Sequence, residues 1–109
     1  MVVITRRDIS PGYQAVQSTH SVADFAFEFP DTFVKWKLES NSIICLSIKN
    51  ETELKKLQDK FKYLTPSIIF YEPDVDEMTS ICLYGTPEIR KKLSHLPLLL
   101  KNNKQHEAI

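Results

Sequence analysis

Four short apolar runs, rich in β-branched and aromatic residues, constrain the fold of this chain most strongly. They are Met1–Thr5, Ile43–Ile48, Ser67–Tyr71 and Ser80–Tyr84. Runs of five or six such residues are typical of buried strands, whereas helices need longer segments. The sequence therefore predicts four strands.

Helix-start signals lie between these runs. Ser10 and Thr86 each precede a proline, which pairs a favoured N-cap with the residue best tolerated at the first helical position. Residues 50–53 read Asn-Glu-Thr-Glu, the form of a capping box. Asp31 is the predicted N-cap of a shorter second helix. Four helices are therefore expected.

The resulting order, β-α-α-β-α-β-β-α, predicts an α/β fold with a mixed four-stranded sheet and helices on both faces. Strands that are separated by helices usually run parallel, so we expect the first three to be parallel and the last pair antiparallel. Ligands in such sheets bind at the carboxyl ends of strands. Residues 6–12 and 72–77 lie at such ends.

The first long helix is predicted to be amphipathic, ending near Phe27 before Pro30. At 100° per residue, one arc collects its small and apolar side chains, which we predict to face the core. They are Ala15, Val16, Thr19, Val22, Ala23, Ala26 and Phe27. Tyr13, Gln17 and His20 line up beside this arc as a polar ridge.

Composition bounds the size and setting of the fold. A chain of 109 residues with 42% apolar content has room for one core, so we expect a single domain over residues 1–101 and a polar tail over residues 102–109. Fourteen basic and fourteen acidic residues cancel, which neither favours nor excludes nucleic acid. The sequence has neither an 18-residue apolar run nor a signal-peptide core, which favours a cytoplasmic protein without membrane contact.

Three further features of the sequence lead to structural predictions. Cys45 and Cys82 lie in strand-like runs without metal-ligand spacing, so we expect buried free thiols. Trp36, between two lysines, either stacks on RNA or packs in the core. The run Leu96–Leu100 either closes the core or meets a second subunit, which makes a homodimer one option.

The turn at residues 6–12 is a candidate phosphate site. Arg6, Arg7 and the free N–H groups of the following helix favour an anion, and Gly12 allows close approach to the backbone. In the alternative reading Ser10 only caps the helix and the arginines are solvated.

The polar ridge and the acidic segment are the candidate catalytic groups. His20 can act as a base or a hydrogen-bond donor near neutral pH, or it can be an ordinary packing residue. Glu72 and Asp74 belong to a segment with four carboxylates, which either orients a water molecule or is a solvated turn. The segment lacks the glycine and length of a calcium loop, so no metal or other cofactor is predicted.

Residues 7–9 and 12–21 together resemble the first helix of type 2 peptidyl-tRNA hydrolases, whose pattern is Arg-x-Asp-Leu followed by Gly-Lys-x-Ala-Ala-Gln-x-x-His-Ala. The positions in register are Asp8, Gly12, Ala15, Gln17 and His20. The similarity extends from Val2 to about Leu100, with a late strand that ends in Gly85 as in the family.

The resemblance implies a mixed four-stranded sheet and metal-free cleavage of the ester between a peptide and tRNA. Tyr13 stands where the family has a lysine, Glu72 or Asp74 is nearest to its aspartate, and Thr79 corresponds to one of its threonines. A fixed ammonium stabilises a developing oxyanion, a contribution of roughly 3 kcal/mol per donor, and a tyrosine hydroxyl donates without positive charge.

The expected site therefore has three parts. The substrate-binding residues comprise Arg6, Arg7, Asp8, Gly12, Gln17 and Thr79, with phosphate held by the arginines and the helix start. Glu72 or Asp74 is expected to orient water, and Tyr13 or His20 to stabilise the oxyanion. The alternative is an inactive family member that binds tRNA or a protein. A nucleotide binder is disfavoured because the chain has no glycine-rich phosphate loop.

Overall fold

The computed structural model describes residues 1–101, and its helices and strands follow the predicted order. They are β1 (Val2–Arg6), α1 (Pro11–Glu28), α2 (Pro30–Glu39), β2 (Ile44–Ile48), α3 (Glu51–Phe61), β3 (Ser67–Glu72), β4 (Glu77–Leu83) and α4 (Pro87–Lys92). The predicted polar tail, residues 102–109, lies outside the described residues. Among residues 1–101, none of the helices is both long and apolar enough to cross a membrane.

The four strands form one mixed sheet with the spatial order β2-β1-β4-β3. β1 pairs with β2 in parallel, whereas β4 is antiparallel to both β1 and β3. The first three strands therefore share one direction and β4 opposes them, as predicted. The carboxyl ends of β1, β2 and β3 lie along the same edge of the sheet as the start of β4.

Side-chain caps fix three of the four helix starts. Ser10, Asn50 and Thr86 each accept a hydrogen bond from the backbone N–H three residues later. These predictions are confirmed. The predicted cap at Asp31 is wrong, because α2 begins at Pro30 and its N-cap is Phe29, which makes no side-chain hydrogen bond.

One face of the sheet is covered by α3 and α4 over an apolar core. Leu54 and Phe61 of α3 pack with Ile89 of α4 against the strands. The sheet side of this core is supplied by Val2, Ile4, Leu46, Ile48, Ile81 and Leu83. This buried apolar cluster contributes hydrophobic stabilisation to the fold.

The opposite face is covered by α1 and α2. There the predicted apolar arc of α1 is wrong for most of its members, although Val22 packs against the core. The buried residues of α1 are Gln14, Gln17, Ser18, Ser21 and Phe25. Val16 and Phe27 from the predicted arc are 48% and 87% exposed. α1 is rotated from the predicted orientation so that its polar side meets the sheet.

Hydroxyl groups on the sheet explain that rotation. Thr5 of β1 and Ser18 of α1 are hydrogen-bonded through their side-chain oxygens at 2.6 Å. Ser80 of β4 donates to the backbone carbonyl of Gln17 at 2.7 Å. Buried hydroxyl groups need partners, and the alanines of the predicted arc offer none. The polar side of α1 is therefore the one that fits.

The segment after α4 lies along the outer edge of β2. Leu98 forms an antiparallel bridge with Leu46, the Ser47 N–H donates to the Pro97 carbonyl at 2.8 Å, and the Leu99 N–H donates to the Cys45 carbonyl at 3.0 Å. Leu96 packs against the core on the α3 side. The leucine run therefore closes the core and covers a sheet edge.

The remaining structural expectations concern a tryptophan and two thiols. Trp36 is buried and donates its indole N–H to the Ser42 carbonyl at 2.6 Å, so it packs in the core. Cys45 is half-buried, Cys82 is buried, and both are free thiols. Burial raises the pKa of both, that of Cys82 to about 12, so neither is a thiolate near neutral pH.

Candidate active site

A buried carboxylate at the carboxyl end of β3 is the centre of the site. Glu72 is the last residue of β3 and only 8% exposed. Its Oε1 atom accepts hydrogen bonds from the Tyr13 hydroxyl at 3.3 Å and from the Gln17 side-chain amide at 3.1 Å. Two side chains from the first half of α1 thus hold a carboxylate that is more than 50 residues away in sequence.

Gln17 connects this carboxylate to β4. Its Oε1 atom accepts a hydrogen bond from the Thr79 hydroxyl at 2.5 Å, while its amide nitrogen donates to Glu72. Only this orientation of the amide gives the carboxylate a donor and the hydroxyl an acceptor. The side chain of Gln17 is fully buried and therefore fixed.

A β-bulge brings Thr79 into the site. Phe70 of β3 pairs with Ser80, but the next residue, Tyr71, pairs with Met78, so Thr79 is an extra residue in β4. Successive residues of a regular strand point to opposite faces. Here both Thr79 and Ser80 reach Gln17, because the bulge turns the Thr79 side chain towards α1.

The electrostatics of Tyr13 favour its protonated form. Partial burial raises the pKa of Tyr13, and so do the negative charges of Glu72 and Asp74. The hydroxyl is therefore a stable donor to Glu72 at neutral pH. Asp74 itself lies exposed in the turn between β3 and β4 and acts on Tyr13 through its charge.

His20 lies beside the carboxylate cluster on the same helix. Its ring stacks on that of Phe70, with the centroids 4.7 Å apart and the planes 1° from parallel. Phe70 precedes Glu72 by two residues on β3, and His20 follows Gln17 by three on α1. The stacking fixes the plane of an otherwise exposed imidazole at the rim of the site.

Arg6 belongs to a separate cluster. It is 6% exposed, and its guanidinium donates to Asp8 at 2.8 and 3.0 Å, to Glu77 at 3.0 Å and to the Met78 carbonyl at 3.0 Å. These hydrogen bonds raise the pKa of Arg6, and the arginine lowers the pKa of Asp8. Arg6 and Asp8 therefore hold the β1–α1 turn against β4, and we do not assign phosphate contact to Arg6.

The structure brings together some of the predicted site residues and separates others. Tyr13, Gln17, Glu72 and Thr79 are joined by hydrogen bonds, with His20 alongside through Phe70. Gly12 is exposed in the first turn of α1, with open space where a Cβ would be. Arg7 is exposed at the end of β1, where its N–H donates to the Ile48 carbonyl at 2.8 Å.

Sequence reasoning missed the residues that support this cluster. The Ser80 hydroxyl donates to the backbone carbonyl of Gln17, and the Phe70 ring stacks on that of His20. A signal for the supporting layer was present in α1, where Gln14, Gln17, Ser18 and Ser21 repeat at helical spacing. The bulge at Thr79 leaves no comparable signal in the sequence.

The residues described do not include a group of three or more histidine, cysteine, aspartate or glutamate side chains arranged to hold a metal ion. Comparison of the chain with models of known protein families and with curated proteins gave no match. Function must therefore be inferred from the chemistry of the Glu72 cluster.

Proposed function

We propose that this protein hydrolyses the ester bond between a peptide and the 3′ end of tRNA, as a divergent type 2 peptidyl-tRNA hydrolase. The observation that carries the proposal is the convergence of Tyr13, Gln17 and Thr79 on Glu72. Gln17 belongs to the motif on which the resemblance rests, and Tyr13 stands at the lysine position of that motif. The four residues come from three separate elements.

Glu72 is the group that activates water in this proposal. Both of its hydrogen bonds end on Oε1, which leaves Oε2 to accept one from a water molecule. The water oxygen attacks the ester carbonyl carbon and its proton passes to Glu72. As the ester bond breaks, that proton moves to the leaving ribose oxygen, which yields a tRNA hydroxyl and a peptide carboxylic acid. The acid then releases its remaining proton to water and becomes a carboxylate.

Tyr13 and Gln17 position Glu72, and His20 is the donor to the oxyanion. A tyrosine hydroxyl has one proton, and that of Tyr13 is already donated to Glu72. His20 is exposed, fixed by Phe70 and close to the cluster, so its ring N–H is free to stabilise the developing charge. One such donor contributes about 3 kcal/mol to the transition state.

The test is release of peptide from N-acetyl-aminoacyl-tRNA by the purified protein and by Glu72→Gln. We expect the variant to lose about 10²- to 10⁴-fold in rate, because the amide cannot take the proton from water. Asp74→Asn is the matched control, since Asp74 is an exposed carboxylate two residues away, and it should retain most activity. Equal rates for wild type and Glu72→Gln would refute the mechanism.

One observation favours the alternative of an inactive module that binds tRNA or a protein. Both donors to Glu72 are neutral, and the family's lysine position is occupied by Tyr13. If this cluster only holds α1 on the sheet, the folded wild-type protein will bind tRNA or a protein partner without releasing peptide. The same assay therefore separates the two functions.

A further inference from the structure

A groove on the α3 and α4 side of the sheet collects positive charge. It has a volume of about 460 Å³ and lies between α3, the end of β2 and the segment after α4. Its cationic lining consists of Arg7, Lys49, Lys56, Lys60 and Lys92, with His95 beside them. Glu53 is the one carboxylate among the lining residues. The groove is therefore strongly positive in a chain whose total charge is zero.

Five of the fourteen acidic residues lie elsewhere on the same edge of the sheet. Asp8 and residues 72–77 gather where β1, β3 and β4 meet, around the Arg6 cluster and the candidate active site. Within the groove, Lys56 is 3.5 Å from Glu53, and Lys92 is 4.0 Å from Glu88 on its outer side. The zero net charge therefore includes a positive region and a negative region, and each has its own electrostatic field.

The shape of the groove favours a polymer of phosphates over a single anion or a membrane. Lys56 and Lys60 are one helical turn apart on α3, and Lys49 and Lys92 extend the positive lining beyond that helix. Charges spread in this way match several phosphates of one backbone. A flat bilayer surface cannot reach the walls of a concave groove. The lining also includes apolar side chains, among them Leu57 and Pro97, which can pack against sugars.

The groove is so far from Glu72 that only a long ligand can contact both. It starts at the carboxyl end of β2, whereas Glu72 ends β3, and the strand order places β1 and β4 between them. Three inter-strand spacings of about 4.8 Å amount to ~14 Å. Arg7 lines both this groove and a neighbouring cavity of about 520 Å³ beside Pro11 at the start of α1. Arg7 therefore connects the groove to the cavity at the start of the helix that carries Tyr13 and Gln17.

We infer that this groove binds the sugar-phosphate backbone of tRNA, at a distance from the ester that the candidate active site would cleave. The inference rests on the proposed function and adds a separate surface to it. Binding and chemistry are divided, with Lys56 and Lys60 holding the RNA body and Glu72 acting at its end. An ester without the RNA body would bypass the groove.

The experiment measures binding of deacylated tRNA by fluorescence anisotropy over a range of salt concentrations. Lys56→Gln/Lys60→Gln is compared with Lys35→Gln/Lys37→Gln, which removes two exposed lysines from α2 on the opposite face. We expect the groove variant to bind at least tenfold more weakly at low salt. The slope of log affinity against log salt should fall by about 1.4–1.8, since each lost phosphate contact contributes about 0.7–0.9. The α2 variant should match wild type.

Several results would overturn the inference. One is unchanged affinity and slope in the groove variant, with its fold verified by circular dichroism. Others are equal losses in the α2 variant, absence of tRNA binding by wild type, or preference for phosphatidylserine vesicles. Deacylated tRNA lacks the acyl ester at its 3′ end, so this binding test does not depend on hydrolysis. Conversely, release of peptide with unchanged KM in the groove variant would refute the groove and leave the hydrolase intact.

Discussion

Gln17 is the residue on which the candidate active site most depends. It is fully buried, and its side-chain amide and backbone carbonyl contact β3 and β4 together. A buried glutamine is stable only when its donors and acceptors are satisfied, and here the Glu72 carboxylate and the Thr79 hydroxyl do so. The same side chain therefore serves both stability and the position of the carboxylate.

Replacing Gln17 with leucine tests this double role. The change keeps a side chain of similar size but leaves the Thr79 hydroxyl and one Glu72 interaction without their partner. We expect a loss of about 2–4 kcal/mol in the free energy of unfolding, measured by urea denaturation. Thr19→Ala on the exposed side of the same helix should change it by less than about 0.5 kcal/mol. Similar losses for both variants would contradict the burial of Gln17.

The charge of Glu72 should be measurable at Tyr13. Apart from partial burial, Glu72 is the largest cause of the raised pKa of Tyr13. Removing its charge with Glu72→Gln stabilises the phenolate, so the pKa of Tyr13 should move down towards the ordinary value. The shift is followed by NMR titration of ring-labelled tyrosine. Asp74→Asn should have a smaller effect in the same direction, and an unchanged pKa in Glu72→Gln would mean that the two groups are apart.

At the scale of elements, local signals in the sequence predicted where most helices begin but not how α1 sits on the sheet. The caps at Ser10, Asn50 and Thr86 depend on residues within one turn and could be read directly. The orientation of α1 depends on hydroxyl groups of β1 and β4, which are distant in sequence. The periodicity of apolar residues was misleading because its alanines gain little from burial.

The residues of the candidate site also differ in how far the sequence predicts their positions. Tyr13, Gln17 and His20 share a helix face, so their proximity followed from helical spacing. Glu72 was identified as a candidate, but its hydrogen bonds depend on the rotation of α1. The approach of Thr79 depends on the bulge in β4, which is set by tertiary packing.

Two phenylalanines on α1 test the observed orientation. Phe25 is fully buried against Phe29 and the sheet, whereas Phe27 is 87% exposed. We expect Phe25→Ala to cost about 3–5 kcal/mol in the free energy of unfolding. Phe27→Ala should cost no more than about 0.5 kcal/mol. Thermal or urea unfolding of the two variants measures the difference, and the reverse order would restore the apolar arc predicted from the sequence.

At the scale of the whole molecule, net charge proved to be a poor guide to surface chemistry. Equal numbers of acidic and basic residues suggested no preference for a polyanion. The fold instead separates the charges, because α3 and the end of α4 bring Lys56, Lys60 and Lys92 to one groove. Charge totals do not depend on topology, whereas the local field does.

The leucine segment on the edge of β2 also limits how copies of this protein can associate. Its hydrogen bonds to Ser47 and Cys45 occupy that side of the sheet, whereas within residues 1–101 no strand lies beyond β3. Continuous strand-by-strand growth needs two open edges on every copy. With one open edge, two molecules that join through β3 leave no edge for a third. Such pairing would stop at two chains instead of growing into a fibre.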